Sequence, residues 1–329
     1  MNTQELKSYF NRILTIEEAY RLFEFLVSED CNDFLKAAIL GNFINRPLTL
    51  NELFGFRNFL ASKMIPLDFD FPILDIVGTG GDHKNSFNIS TLACFVVAGC
   101  GFKVVKHGNY SASSFFGSSN ILESLGYKFS VDKIKLNAQL KAANICFLHA
   151  PLFHPSLKPL GPIRKQIGMR TFINLLGPLL NPANPKFQMI GVSSFEIARL
   201  YHYYLEQTPC NYKIIHCLNG YDEISLTGET KIISRKGEFV FLPNYFTKQS
   251  VCPDDLLIET EAGQATIQFE SILKGQGPAA QIEVVLVNAA EAVNLLQPDL
   301  DYHQSYLLVQ ESIKSGKAFQ SLINMLNNS

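Results

Sequence analysis

The chain reads as an α/β protein: a small all-helical domain plus a larger domain with a mostly parallel sheet covered by helices. Three observations predict this. Residues 1–65 place apolar side chains at helical spacing and show no strand pattern. From Ile73 onward the pattern becomes strand, loop, helix, the βαβ rhythm of a parallel sheet. Between Ala150 and Pro185, seven prolines interrupt that rhythm.

The elements follow in order. Leu6, Phe10, Ile13 and Leu14 recur at helical spacing. Thr15 caps a second helix, with Glu18 three residues on as a capping box, and Leu22, Phe23, Phe25 and Leu26 as its apolar face. Asn32 to Gly41 and Thr49 to Met64 read as two more helices, and the module ends near Met64-Ile65-Pro66. Ile73 to Val77 is an apolar strand, Leu92 to Ala98 a short buried helix, and Phe102 to Val105 a second strand. Gly117 to Leu125 is a helix ending at Gly126, Asp132 caps another to about Ala143, and Ile145 to Leu148 is a strand. In the proline-rich stretch, helical segments fall near 163–168 and 171–176. Phe187 to Val192 and Lys213 to Leu218 are strands around a helix from Phe195 to Gln207, capped by Ser194. Lys231 to Ile233 and Glu238 to Phe241 form a hairpin; Gln264 to Leu273 and Gln281 to Leu296 are helices, and the tail from Tyr302 is helical.

Composition narrows the function. With 329 residues, 47% of them hydrophobic and 18% charged, the chain can bury a sizeable core in about two domains. A net charge of −2 argues against a general nucleic-acid binder. The seven cysteines are scattered with no CxxC, which reads as reduced thiols of a cytoplasmic protein. The opening MNTQELKSYFNRIL lacks the apolar stretch of a signal peptide, and no run of 18 apolar residues suggests a membrane span.

The first strand runs into Gly78-Thr79-Gly80-Gly81-Asp82 and then Asn88-Ile89-Ser90-Thr91, which opens a helix. Glycines let backbone N–H groups approach a ligand, and a helix N-terminus favours an anion. The second strand leads to a polar loop, Lys106-His107-Gly108-Asn109, with Ser111, Ser113 and Ser114 as further donors. Two anion-type loops one βαβ unit apart suggest a substrate with two phosphate groups. Neither GxGxxG nor the P-loop fits, since both need glycine where His83 stands.

The stretches GTGGD at 78–82, FNIST at 87–91, KHGN at 106–109 and RTFINLLGPLLNP at 170–182 resemble the anthranilate phosphoribosyltransferases, the second enzyme of tryptophan biosynthesis. The resemblance covers nearly the whole chain. It implies a fold of the nucleoside phosphorylase and phosphoribosyltransferase type. The helical domain, 1–66, is then joined by about 155–183, and the phosphoribosyl pyrophosphate domain comprises 67–154 and 184–329. The implied reaction joins anthranilate to 5-phosphoribosyl 1-pyrophosphate (PRPP), with Mg2+ as cofactor, two ions expected. The resemblance also implies a site between the two domains and a homodimer through the helical domains; exposed apolar Phe10, Phe23 and Phe25 are compatible with that, and core packing explains them equally well.

Site residues follow from the same resemblance. Gly78, Gly81, Asp82, Ser86, Asn88, Ile89, Ser90 and Thr91 are expected against PRPP, with Lys106, His107, Gly108, Asn109, Tyr110, Ser111, Ala112, Ser113, Ser114 and Ser118 as the second segment. Ser90, Asp222 and Glu223 are expected at the metal; for Ser90 a helix cap is a compatible structural role. Arg164 is expected to pair with the anthranilate carboxylate, helped by Gly78, Asn109, His107 and His154. No protein base or nucleophile is assigned, because an aromatic amine is not in its ammonium form at neutral pH and its lone pair is already free to attack. Five positions depart from the pattern: Tyr110 and Phe115 stand where many relatives carry Arg and Lys, Asn120 replaces an Asp, and His83 and Lys84 replace small residues. Two alternatives share the architecture. A pyrimidine nucleoside phosphorylase would take nucleoside and phosphate, but KHGN and Asp222-Glu223 favour the transferase. A nucleic-acid-binding relative would lack the metal acids and carry a basic surface. No membrane or nucleic-acid partner is expected.

Overall fold

The structure is a computed structural model that describes all residues except Met1, Asn2, Asn11, Asn45 and 112–115. The chain divides into two compact units: Met1–Pro66 with Ala150–Pro182, and Leu67–His149 with Ala183–Ser329.

The first unit is helical. It holds α1 (Thr3–Tyr9), α2 (Ile16–Leu26), α3 (Asp33–Asn42) and α4 (Leu50–Lys63). Thr15 and Thr49 close capping boxes with Glu18 and Glu52. α1 stops at Tyr9, so Ile13 lies outside it and is 64% exposed, while Leu14 turns inward. The return segment adds short helices at Ala150–Phe153 and Gly161–Ile167 and 3-10 turns at Pro155–Leu160, Phe172–Leu175 and Gly177–Leu179. It belongs to this unit because Phe172 enters a phenylalanine cluster, its ring 4.4 Å from Phe56, 5.0 Å from Phe43 and 5.7 Å from Phe23. Phe23 and Phe25 are buried core residues, so they offer no exposed surface for a partner. The buried Glu52 carboxylate accepts from Arg46, Thr49 and the Leu14 N–H. Burial alone would raise its pKa; those donors outweigh it and hold the group below the ordinary value.

The second unit is built on a seven-stranded sheet. Its strands are β1 (Leu74–Gly78), β2 (Val104–Gly108), β3 (Ile145–His149), β4 (Phe187–Gly191), β5 (Asn211–Cys217), β6 (Thr230–Ser234) and β7 (Gly237–Phe241). The order is β3-β2-β1-β4-β5-β6-β7, with β1 to β5 parallel and the last two antiparallel. Its main helices are α5 (Ile89–Gly99), α6 (Ser118–Ser124), α7 (Lys133–Ala143), α8 (Phe195–Glu206), α9 (Ala262–Leu273), α10 (Ala279–Leu296), α11 (Tyr302–Lys314) and α12 (Lys317–Asn327). Asp132 and Ser194 cap α7 and α8 as the sequence predicts. Every residue of α5 from Thr91 to Ala98 is buried, because α10, α11 and α12 pack around it. α10 is long and apolar enough to cross a membrane, yet most of it is buried in this core.

β2 differs from the sequence reading. Lys106-His107-Gly108 is strand, not loop, pairing with Phe147, Leu148 and His149 of β3. Lys106 is tolerated there because its Nζ donates to the Ile76 carbonyl at 2.6 Å, and the backbone N–H of His107 donates to Asp75 Oδ1 at 3.2 Å.

Candidate active site

The strand order reverses between β1 and β4, and open α/β sheets bind ligands outside the carboxyl ends of the strands at such a point. Gly78 ends β1 and Gly191 ends β4, and the two are register partners. The segment after β5 crosses both. A Cβ on Gly78 would stand 2.6 Å from Asp222 Oδ2, and one on Gly191 would stand 1.6 Å from the Asp222 carbonyl oxygen. Only glycine lets the strand ends approach Asp222 this closely.

The acid pair is held by backbone from both sides. The Gly80 N–H donates to Asp222 Oδ2 at 2.9 Å, and the Ser90 N–H donates to Glu223 Oε1 at 2.9 Å. Asn288, in the middle of apolar α10, pins the next residue: it accepts from the Ile224 N–H at 3.1 Å and donates to the Ile224 carbonyl at 2.9 Å. Gly78, Ser90, Asp222, Glu223 and Asn288 line one crevice at the strand ends. Burial, then the neighbouring Asp222 charge, pushes the Glu223 carboxyl well above the ordinary range, against the pull of the Ser90 N–H.

The glycine loop folds back on itself. Gly80, Gly81, His83 and Asn85 all have positive φ. Asp82 Oδ1 accepts the Lys84 N–H at 3.1 Å, while its Oδ2 is buried with no hydrogen-bond partner among the described residues. Ser86 forms an isolated bridge with Leu257, and Asn88 Nδ2 donates to the Phe116 carbonyl. Ile89 and Thr91 are buried in the core side of α5. Ser90 is not the helix cap; Asn88 precedes the helix, without a side-chain cap bond, and Ser90 is the second helical residue.

The second segment makes its own tight corner. Lys106 and His107 are buried in β2, and a Cβ on Gly108 would meet Ser118 Oγ at 2.3 Å. The Asn109 carbonyl accepts from the Ser119 N–H at 3.1 Å and from Ser118 Oγ at 3.4 Å. Asn120 Oδ1 accepts the Ser111 and Gly117 N–H groups, both at 3.0 Å, so the amide closes this turn as an Asp would. Tyr110 is 41% exposed and donates to Glu123 at 3.2 Å. Ala112, Ser113 and Ser114, and the departure at Phe115, lie outside the described residues.

Arg164 and His154 belong to the helical unit. Arg164 Nη2 donates to Asn174 Oδ1 at 3.1 Å, has no carboxylate partner among the described residues, and is pulled below its ordinary pKa by burial. His154 is 3% exposed, with Nε2 on the Leu180 carbonyl at 3.1 Å, and burial lowers it to about 4.

The residues at the strand ends fit a hard divalent cation. They present two carboxylates and a hydroxyl, with crowded negative charge at Glu223. Among the described residues no group of three or more His, Cys, Asp or Glu side chains could hold a metal. A cation here would therefore take further ligands from water or substrate phosphate. Sequence reasoning missed Gly191 and Asn288. A polar residue inside the apolar run of α10 was the available signal for Asn288.

The doubly wound sheet, with a glycine loop and acid pair at its switch point, defines a transferase of the glycosyl type: residues 70–319 match the family described as "Glycosyl transferase family, a/b domain". The anthranilate phosphoribosyltransferase of Flavobacterium psychrophilum is 44% identical over 96% of this chain and 98% of its own, and that of Cytophaga hutchinsonii 43% over 96% of each. The solved enzyme of Thermus thermophilus superposes with a TM-score of 0.89 at 28% identity, covering 99% of this chain and 98% of its own. The Saccharomyces cerevisiae enzyme in complex with PRPP and Mg also gives 0.89, at 25% identity and the same coverage. The chain belongs to the anthranilate phosphoribosyltransferase family.

Proposed function

We propose that this chain transfers the phosphoribosyl group of PRPP to the amine of anthranilate, giving N-(5-phosphoribosyl)anthranilate and pyrophosphate, as the second step of tryptophan biosynthesis from chorismate. The observation that carries the reading is the joint anchoring of Asp222 to the glycine loop and Glu223 to the start of α5, in a chain of this family. The amine attacks the ribose C1; a C–N bond forms, the C1–oxygen bond to pyrophosphate breaks, and the amine proton passes to solvent.

In this reading Gly78, Gly81, Asp82 and Ser86 line the PRPP phosphates together with Asn88 to Thr91. The segment from Lys106 through Ser111, with Ala112, Ser113, Ser114 and Ser118, holds the rest of the donor. Asp222, Glu223 and Ser90 would hold magnesium, two ions in all, which would supply positive charge beside the pyrophosphate leaving group. Arg164 takes the anthranilate carboxylate, for which its buried guanidinium has no acidic partner among the described residues. Gly78, Asn109 and His107 border the aromatic substrate, and His154 shapes the segment that carries Arg164. Catalysis rests on positioning and charge, with no protein base. The reading includes a cytoplasmic setting, supported by seven free cysteines, and a homodimer through the helical unit, where Phe34 is 88% exposed and Ile16 42%. Mass spectrometry of the product formed from both substrates and magnesium tests the reaction; phosphate-dependent cleavage of uridine in its place sinks it. Sedimentation tests the dimer.

A further inference from the structure

Lys84 has a placement that the site as described does not use. It stands in the glycine loop, two residues after Asp82, whose Oδ1 accepts its N–H. Its side chain reaches across to the segment that carries the acid pair. Nζ lies 5.0 Å from the centre of the Tyr221 ring, directly before Asp222, and Cε lies 3.5 Å from where a Gly220 Cβ would be. Lys84 makes no salt bridge among the described residues. Among the described residues its ammonium thus has a ring face and no acid for a partner, on the loop that also carries Gly80, bonded to Asp222, and the buried Asp82 Oδ2.

A ring face holds a partly exposed ammonium weakly, whereas a phosphate oxygen accepts a charge-assisted hydrogen bond. A lysine on four flexible carbons can move from one to the other without the loop moving. We propose that Lys84 is a further substrate-binding residue: its ammonium leaves the Tyr221 ring and donates to the pyrophosphate oxygens of the bound donor. The inference rests on the reading of the site as a PRPP site. It gives the loop a charge of its own where Tyr110 carries none.

Lys84→Met keeps the apolar stem and removes the charge; Lys84→Arg restores it. Calorimetry with inorganic pyrophosphate and magnesium, beside steady-state kinetics with both substrates, tests the role. Lys84→Met should weaken pyrophosphate binding and raise the PRPP KM about tenfold, the scale of one lost charge-assisted bond. The anthranilate KM and the melting temperature should stay put, and Lys84→Arg should recover most of the loss. Added salt should weaken pyrophosphate binding more steeply in the wild type than in Lys84→Met. Unchanged pyrophosphate affinity in Lys84→Met, a wild type that binds no magnesium pyrophosphate, or an equal rise in both KM values with a lowered melting temperature overturns the inference. A wild type that binds pyrophosphate through Lys84 yet turns over no anthranilate leaves the inference standing and removes the proposed reaction.

Discussion

The Ser90 N–H donates to Glu223 at 2.9 Å, so the start of α5 and the acid pair after β5 form one structural corner. The Gly80 bond to Asp222 ties the glycine loop to the same corner. Removing the charges while keeping the shapes isolates the role of the acids. Asp222→Asn with Glu223→Gln should lower magnesium-dependent turnover by about a hundredfold or more, the scale of losing preorganised charge at a reacting centre. Turnover assays across rising magnesium check this; near-normal rates at low millimolar magnesium refute the role.

Asn288 touches no predicted substrate group, but it holds both backbone atoms of Ile224. Asn288→Ala should leave that buried backbone unpaired, cost about 1–3 kcal/mol of stability, and raise the magnesium concentration needed for half-maximal rate. Urea unfolding and a magnesium titration measure the two effects. A stability loss with an unchanged magnesium requirement would restrict Asn288 to packing.

Arg164 should discriminate between the substrates. Arg164→Ala is expected to raise the anthranilate KM about tenfold or more, the worth of a charged hydrogen-bond pair, and to move the PRPP KM much less. Asn174→Ala, which removes the 3.1 Å acceptor that orients the guanidinium, should give a smaller change in the same direction. Equal effects on both KM values count against a substrate-specific role.

Burial holds His154 neutral to about pH 4, whereas in the unfolded chain a histidine takes its proton near pH 6.5. Between these values the unfolded chain binds more protons, so stability falls as pH drops through that window and levels off below it. The contribution is about 3 kcal/mol at most. Urea midpoints at pH 7 and pH 4.5 should converge in His154→Gln relative to the wild type, because glutamine keeps a donor for Leu180 and takes no proton. An identical pH dependence in the two proteins would show that His154 titrates freely.

Much of this was legible in the sequence where local chemistry decides the outcome. Thr15, Asp132 and Ser194 cap the helices their positions announce, because a side-chain oxygen before a helix has one obvious task. The glycine loop and Asp222-Glu223 stand out as polar interruptions at strand ends. What stayed hidden depends on partners distant in the chain. Lys106-His107-Gly108 looks like loop until β3 and Asp75 satisfy it. Phe23 reads as an apolar-face residue that core packing or a dimer seam would explain equally well, until Phe172 arrives from the return segment and settles it as core. Gly191 is an ordinary strand-end glycine until Asp222 crosses it. Ser90 looks like a cap, and the fold uses its N–H to hold Glu223 instead.

The most direct test is the fluorescence of anthranilate, followed on mixing enzyme, PRPP and magnesium. The chain has no tryptophan, so its own emission is low. The proposed function requires a decay that needs all three components and stops when magnesium is chelated. A flat trace, with phosphate-dependent cleavage of uridine or thymidine by the same preparation, would contradict it.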